Sequence, residues 1–225
     1  SASDPDGDVV SPIYAWVKNG SALLGITSST LTGSYFNKGD ILYCSVTPDD
    51  GTDTGLSVSS NSVTIQNSAP TANTPSISPT TAYEASTFAC ADAGGSDVDP
   101  VDSVSFTYGW KVNGQTIGQT GNSLTGSSFD KGDIVKCFVI PSDGFNNGSG
   151  VDSIGVTVSN STPTFSSIVI SPSNPTTAES IGSSASGWSD DDGDNEGYAY
   201  QWYDQSGAIS GATGASLSSS ATDKG

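Results

Sequence analysis

Apolar and polar residues alternate along this chain over short stretches, and the spacing of three or four that is typical of amphipathic helices is nearly absent. Residues 13–17, 41–46 and 62–65 are such stretches, rich in β-branched and aromatic side chains. Clusters of Gly, Asn, Asp, Ser and Pro separate them. Residues two apart lie on one face of a strand, so the pattern predicts many short strands joined by turns. We therefore predict an all-β chain made of sandwiches or barrels.

A period of 93 residues organises the chain. Lys-Gly starts at residues 38, 131 and 224, and the linkers Asn-Ser-Ala-Pro at 67 and Asn-Ser-Thr-Pro at 160 show the same step. Fixed periods of this kind are typical of tandem arrays of small units. The repeat predicts three units, which are residues 1–69 without their first strands, residues 70–162 complete, and residues 163–225 without their last strands.

The complete unit carries the clearest strand pattern. Seven strands, named A, B, C, C′, E, F and G, are predicted near residues 75–78, 86–91, 106–112, 115–118, 123–126, 134–140 and 153–159. Asn113-Gly114 separates C from C′, as Asn19-Gly20 does in the first unit, and this dipeptide favours a tight hairpin.

Composition excludes several function classes. The net charge is −18, with 24 acidic residues against 6 basic ones, so no Lys/Arg cluster is present to bind nucleic acid. Histidine is absent, which removes His-dependent catalysis and His-ligated zinc. No apolar run approaches the length of a membrane span. We expect no enzyme activity, no catalytic residues and no membrane span in this fragment.

Three residues and one spaced motif carry a family resemblance. Cys90 on B, Trp110 on C and Cys137 on F stand in order, and Leu is followed seven residues later by Lys-Gly-Asp and then by Cys, both from Leu124 and from Leu31. The chain resembles tandem immunoglobulin-like (cadherin/PKD-like) repeats of prokaryotic extracellular surface or fibre proteins. The resemblance implies tandem Ig-like β-sandwiches, and it specifies function poorly.

The resemblance also implies a disulfide between Cys90 and Cys137, which would join the two sheets and require an oxidising compartment. Two buried free thiols are the alternative. By the same pattern Cys44 would pair with a Cys upstream of this fragment. In the third unit residues 184–186, Ser-Ala-Ser, stand where the B-strand Cys is expected, so no bridge is predicted there.

Acidic segments precede the Trp of each unit, and further Asp residues follow the F strands. Asp-x-Asp-Gly-Asp places alternate carboxylates on one side of a turn, as hard oxygen ligands for Ca²⁺ require. In an Ig-like sandwich both regions lie at the end that faces the preceding unit, so Ca²⁺ would stiffen the joints. Acidic turns without any metal are the alternative. The candidate ligands are Asp4, Asp6, Asp8, Asp49, Asp50, Asp97, Asp99, Asp102, Asp143, Asp190, Asp192 and Asp194.

Three further motifs have simpler interpretations. Tyr lies two residues before Trp16, Trp110 and Trp202, so each pair is expected to face one core rather than to stack on sugar, and Trp188 alone is expected to be partly exposed. Lys-Gly-Asp could suggest an integrin ligand or an isopeptide lysine, but a turn in which Asp bonds backbone amides is the simpler expectation. The N-glycan acceptor pattern occurs at Asn19, Asn147 and Asn160.

The sequence therefore predicts a structural or adhesive extracellular repeat protein: a surface fibre, stalk or filament. Its partners would be neighbouring repeats of the same protein and other copies in a filament, at the cell surface. A carbohydrate- or ligand-binding module, and accessory repeats of a secreted enzyme, are the alternatives.

Overall fold

The computed structural model describes residue 5 and residues 7–219. Its regular structure is almost entirely β, with two short 3₁₀ helices, Gly33–Tyr35 and Gly126–Ser128. None of the helices in these residues has the length and apolarity needed to cross a membrane. The calcium candidates Asp4 and Asp6 lie outside the described residues.

Twenty strands follow one another along the described residues. The first five are β1 (Ser11–Lys18), β2 (Ser21–Ala22), β3 (Ile41–Asp49), β4 (Val58–Ser59) and β5 (Val63–Thr64). The next ten are β6 (Thr71–Ala72), β7 (Ser76–Ser78), β8 (Thr87–Ala91), β9 (Gly95–Ser96), β10 (Ser105–Val112), β11 (Gln115–Thr120), β12 (Ser123–Thr125), β13 (Ile134–Ser142), β14 (Val151–Asp152) and β15 (Val156–Thr157). The last five are β16 (Ser167–Ser171), β17 (Ile181–Ser186), β18 (Tyr203–Asp204), β19 (Gly207–Ala208) and β20 (Ser216–Leu217).

The central strands have the order of an immunoglobulin-like sandwich. One sheet runs β12-β8-β7, which are strands E, B and A, and the other runs β11-β10-β13, which are C′, C and F. Strands β14 and β15 both pair with the free edge of β13 and together form G. The predicted fold class is confirmed, and Asn113 and Gly114 adopt the positive φ values, 51° and 80°, that the hairpin requires.

Strand G differs from the prediction because it is interrupted. The Ser153 hydroxyl accepts a hydrogen bond from the Cys137 amide at 3.1 Å, and the Ser153 amide donates to the Cys137 carbonyl at 2.8 Å. In a regular sheet the Cys137 amide would donate to a backbone carbonyl of the neighbouring strand. Here it donates to the Ser153 hydroxyl instead, and regular pairing resumes at Val156. Ser60 makes the same two bonds with Cys44, so the interruption is a repeated feature.

The chain divides into two compact units that do not follow the predicted boundaries. One contains Ser1–Ser76, Cys90–Gly109 and Cys137–Ser153, and the other contains Ile77–Ala89, Trp110–Lys136 and Ile154–Gly225. Strands β8, β10 and β13 of the sandwich run through both. The three predicted domains, with limits at 69/70 and 162/163, stay a prediction.

The predicted disulfide is present in the first of these units. Cys90 and Cys137 are bonded, 47 residues apart in sequence, and both are almost fully buried. Cys44 is a free thiol that is partly buried, and its pairing with an upstream Cys stays a prediction. The alternative of two buried free thiols at positions 90 and 137 is therefore wrong.

The second unit contains the aromatic core of the sandwich. Phe88, on strand B, packs against Trp110 with ring centroids 6.4 Å apart and against Phe129 at 5.1 Å. All three are buried, and the Trp110 indole donates to the Gly121 carbonyl at 3.0 Å. Core packing of the central Trp is thus confirmed, whereas Trp16 and Trp202 are partly exposed.

The pairing of β17 with β20, in the predicted third unit, corrects the position that the sequence analysis gave to the missing B-strand cysteine. Ile181 pairs with Leu217 as Phe88 pairs with Leu124. Ile181 lies 93 residues after Phe88, and Leu217 lies 93 residues after Leu124. The counterpart of Cys90 is therefore Ser183, one residue before the predicted stretch 184–186. This segment has no B-strand cysteine, in agreement with the expectation.

Gly126 allows the second 3₁₀ helix to approach the backbone closely. A Cβ on Gly126 would lie 1.7 Å from the Glu84 carbonyl oxygen, so we expect Gly126→Ala to destabilise the protein by about 1–3 kcal/mol in urea denaturation. Gly118→Ala is the matched control, because its Cβ would meet nothing within 4 Å. Equal stabilities of the two variants would contradict the close approach.

Candidate functional site

Three of the predicted ligands meet beside strand β9. The carboxylate oxygens of Asp97, Asp102 and Asp143 lie within 4.8 Å of one another. Asp97 and Asp102 belong to the loop between β9 and β10, and Asp143 follows β13, so the B–C and F–G loops converge as predicted. Asp99, in the same B–C loop, is also buried and accepts the Ser68 amide at 2.8 Å. The loop therefore binds the linker that precedes strand A.

The Lys of Lys-Gly-Asp completes this cluster. The Lys38 ammonium is ion-paired with Asp102 and donates to the Asn67 side-chain oxygen at 3.0 Å. It also lies 3.8 Å from the centroid of the Phe145 ring. Sequence analysis missed this role. We call the following residues the first joint cluster: Lys38, Asn67, Ser68, Asp97, Asp99, Asp102 and Asp143.

A second copy lies in the other compact unit. Asp190, Asp192 and Asp194 have carboxylate oxygens within 4.8 Å of one another. Asp192 accepts the Ser161 amide at 2.5 Å and its hydroxyl at 3.0 Å. Lys131 pairs with Asp194 and donates to the Asn160 side chain at 3.1 Å. We call the following residues the second joint cluster: Lys131, Asn160, Ser161, Asp190, Asp192 and Asp194.

Each cluster contains one carboxylate oxygen that has no partner. Oδ2 of Asp97 and Oδ2 of Asp190 are buried and make no hydrogen bond, while the other oxygen of each accepts a backbone amide of its own loop. A buried acceptor without a partner is costly, and these two stand 93 residues apart, at equivalent positions of the two clusters.

The remaining calcium candidates do not join a described cluster. Asp49 accepts the Gly51 amide, and Asp50 accepts the Thr52 and Asp53 amides, all at 2.8 Å, so both close their own loop. Asp8 is exposed. For Asp49 and Asp50 the simple turn interpretation describes the geometry better than the ligand interpretation.

The glycan candidates differ in what their side chains do. The Asn19 amide donates to Asp40 at 2.6 Å, and the Asn160 amide donates to the Ser161 carbonyl at 2.5 Å, so a glycan on either would displace a hydrogen bond. Asn147 lies in an exposed loop. Glycosylation at these three positions stays a prediction.

Trp188 is partly exposed, as expected, and belongs to an aromatic group. Its ring meets Tyr198 edge to face, with centroids 5.7 Å apart, and Tyr198 meets Phe165 in the same way at 5.6 Å. The Tyr198 hydroxyl donates to Glu196 at 2.6 Å, which raises the pKa of that hydroxyl to about 12.

Comparisons with known proteins add little to this geometry. No family model matches the chain, and the comparison with curated proteins gives no match. Among solved structures the chain is similar to the crystal structure of the N-terminal eight Ig domains of Down Syndrome Cell Adhesion Molecule (DSCAM) isoform 1.30.30, with 14% identity and a TM-score of 0.29. The match covers 88% of this chain and 27% of that one, so the chain spans about a quarter of its length. The immunoglobulin-like assignment rests on strand order.

Asp143 gives the first joint cluster a pH dependence. Its pKa is lowered to about 2, mainly because the Asn67 side chain and the Asn146 and Phe145 amides donate to it, with a smaller contribution from the Lys38 charge. The unfolded value is about 3.9, so folding favours the ionised form. The resulting stability is fully present above about pH 4 and is lost as pH falls through about 2.

We therefore expect Asp143→Asn to melt below the wild type at pH 5, and the gap to close as pH falls from 4 to 2. Thermal melts of both proteins across this range measure the gap. A gap that is independent of pH would contradict the depressed pKa.

Proposed function

We propose that the chain is part of an extracellular structural or adhesive repeat protein, a surface fibre or stalk of the prokaryotic kind, in which joints of fixed geometry connect successive Ig-like units. The supporting observation is that the same joint occurs twice. Lys, Asn and Ser at 38, 67 and 68 recur at 131, 160 and 161, and in both copies they bind the acidic loop that follows.

The contacts favour a stiff joint over a flexible linker. A loop carboxylate accepts the backbone amide of the linker Ser, and the Lys connects the linker Asn to a second carboxylate of the same loop. Four of the groups at the first joint are mostly buried, with side-chain exposures of 18% for Lys38 and 6% for Asp102 and residue exposures of 6% for Asp99 and 8% for Asp143. Partly buried pairs are less screened by salt than surface pairs. Such joints would let a run of units act as a rod.

The experiment for this proposal measures how freely the joint bends. Spin labels at positions 21 and 107, which are both exposed and lie on either side of the first joint, are expected to give one narrow distance distribution in a Cys44→Ser background. Asp99→Ala removes the acceptor of the Ser68 amide and is expected to broaden it. A wild-type distribution as broad as that of the variant would contradict a fixed joint.

Ca²⁺ is the cofactor that we propose for the two joint clusters. Ca²⁺ takes oxygen ligands at about 2.3–2.6 Å, so two ligands of one ion lie up to about 5 Å apart. The three carboxylates of each cluster fit this limit, and the unpartnered oxygens of Asp97 and Asp190 lack the positive group that an ion would supply. One Lys leaves each trio with net negative charge.

Calcium titration followed by thermal melts tests this proposal. We expect the melting temperature to rise with added Ca²⁺ and to return with chelator, and the rise to be smaller in Asp97→Asn and Asp190→Asn. Asp49→Asn is the matched control, because Asp49 closes its own loop. The absence of any rise, or an equal rise in all four proteins, would exclude calcium from these clusters.

A further inference from the structure

The Lys38 side chain lies against a carboxamide that it could attack. Its Nζ donates to Oδ1 of Asn67 at 3.0 Å, and a C=O bond is about 1.2 Å long, so Nζ is at most about 4.2 Å from the carbonyl carbon. Amine and amide are held together with two carboxylates in a mostly buried site. We propose that Lys38 and Asn67 form an isopeptide cross-link.

Two carboxylates of the following sandwich place the reacting groups. Asp102 is ion-paired with the Lys38 ammonium and is therefore the acceptor for its proton. Asp143 accepts the Asn67 Nδ2–H at 2.7 Å, and the Ser68 carbonyl accepts the other proton at 2.9 Å. These two bonds direct Oδ1, and with it the carbonyl carbon, toward the lysine.

The surroundings reduce the access of water. The exposed fractions of the Lys38 and Asp102 side chains are 18% and 6%, and the Phe145 ring lies 3.8 Å from Nζ. The nucleophilic form of a lysine is the neutral amine, so the reaction begins with proton transfer to the carboxylate in contact with Nζ. Holding the amine beside the amide also replaces a bimolecular encounter by a local one.

The reaction balances without an oxidant or a co-reactant. Lys38 gives one proton to Asp102, its Nζ forms a bond to Cγ of Asn67, and the bond from Cγ to Nδ2 breaks. Nδ2 leaves as ammonia, taking up the proton held by Asp102. Of the two protons still on Nζ, one converts the ammonia to ammonium and the other stays on the nitrogen of the new secondary amide. A charged amine and a neutral amide become a neutral secondary amide and an ammonium ion.

The cross-link would fix the first joint, so this inference rests on the proposed function, which requires joints of fixed geometry. It closes a loop of 29 residues and ties the turn before β3 to the linker. Because Asp102 and Asp143 come from the following sandwich, the bond forms only after that sandwich has folded against the linker. Loss of the lysine charge leaves three carboxylates without their cation, which strengthens their attraction for Ca²⁺.

The second joint cluster provides an internal comparison. Lys131 lies 3.1 Å from Oδ1 of Asn160, but the exposed fractions of the Lys131 and Asp194 side chains are 35% and 42%. No Asp in the described residues takes the place of Asp143 beside Asn160. We expect the bond at the first joint and not at the second.

Intact mass under denaturing, reducing conditions tests the proposal on the whole chain. The wild type is expected to be lighter than its sequence by the mass of one ammonia, and tandem mass spectrometry to find one branched peptide joining Lys38 to Asn67. Lys38→Arg keeps the charge but forms no amide, so it should have the full mass. Lys131→Arg is the matched control and should remain lighter.

Two results would overturn the cross-link. One is a wild-type chain of full mass after long incubation of the folded, oxidised protein at pH 8. The other is an ammonia loss that persists in Lys38→Arg, which would place it at an Asn-Gly succinimide such as Asn19-Gly20. Neither result bears on calcium binding, which the titration above measures separately.

Discussion

Trp110→Ala is expected to destabilise the central sandwich by about 3–5 kcal/mol, the usual cost of truncating a fully buried Trp. The Trp110 side chain is fully buried, packs beside Phe88 and donates its indole N–H to the Gly121 carbonyl. Truncation leaves a cavity bordered by Phe88 and an acceptor without its donor. The cavity and the lost hydrogen bond both lower the free energy of unfolding.

Trp16→Ala is the matched control. Trp16 occupies the same position in β1, and its indole donates to the Ser28 carbonyl at 2.9 Å, but its side chain is only partly buried. The hydrogen bond is therefore common to both sites, and the difference between the variants measures the cost of the cavity. Urea denaturation with hydrogen exchange gives both values, read on β8 and β13 peptides for Trp110→Ala and on β3 peptides for Trp16→Ala. Equal losses would contradict a packed core at Trp110.

The strands could be predicted because their causes are local. Alternation fixes which residues share a face, and Asn113-Gly114 fixes a hairpin through its own positive φ angles. The same holds for the Asp of Lys-Gly-Asp, since Asp40 and Asp133 accept the amides of Asn37 and Asp130 at 2.8 Å, three residues away. The turn interpretation of this motif is confirmed for its Asp.

The Lys of the same motif could not be assigned in this way. The partners of Lys38 are Asn67 and Asp102, 29 and 64 residues away in sequence. The residues around Lys38 in the sequence do not indicate partners that lie so far along the chain. A signal was present in the period, because Lys-Gly and the linker Asn recur together at 93 residues, but a shared period does not by itself show contact.

Asp50 and Asp143 show why the ligand set was only partly right. They are 93 residues apart, and each accepts two backbone amides of its own loop. Asp143 differs in that its second oxygen also accepts the Asn67 side chain. The local sequence predicts the loop, whereas the linker decides whether the loop becomes part of a joint cluster.

The disulfide carries the second large effect. Replacing Cys90 and Cys137 by Ala is expected to cost about 4 kcal/mol, because the bond restricts an unfolded loop of 47 residues. Both cysteines are buried, so the two Ala side chains also leave a small void between strands β8 and β13. The double variant should melt well below the wild type, and a reducing agent should have the same effect on the wild type.

Cys44→Ala provides the control, because this thiol is partly buried and forms no disulfide. Its melting temperature is expected to stay close to that of the wild type, with or without reductant. A chain that depends on one disulfide for several kcal/mol loses that stability in a reducing cytosol and keeps it outside the cell. The reductant-dependent melt therefore tests the proposed extracellular location. A wild-type melt that does not respond to complete reduction of Cys90 and Cys137 would remove this support.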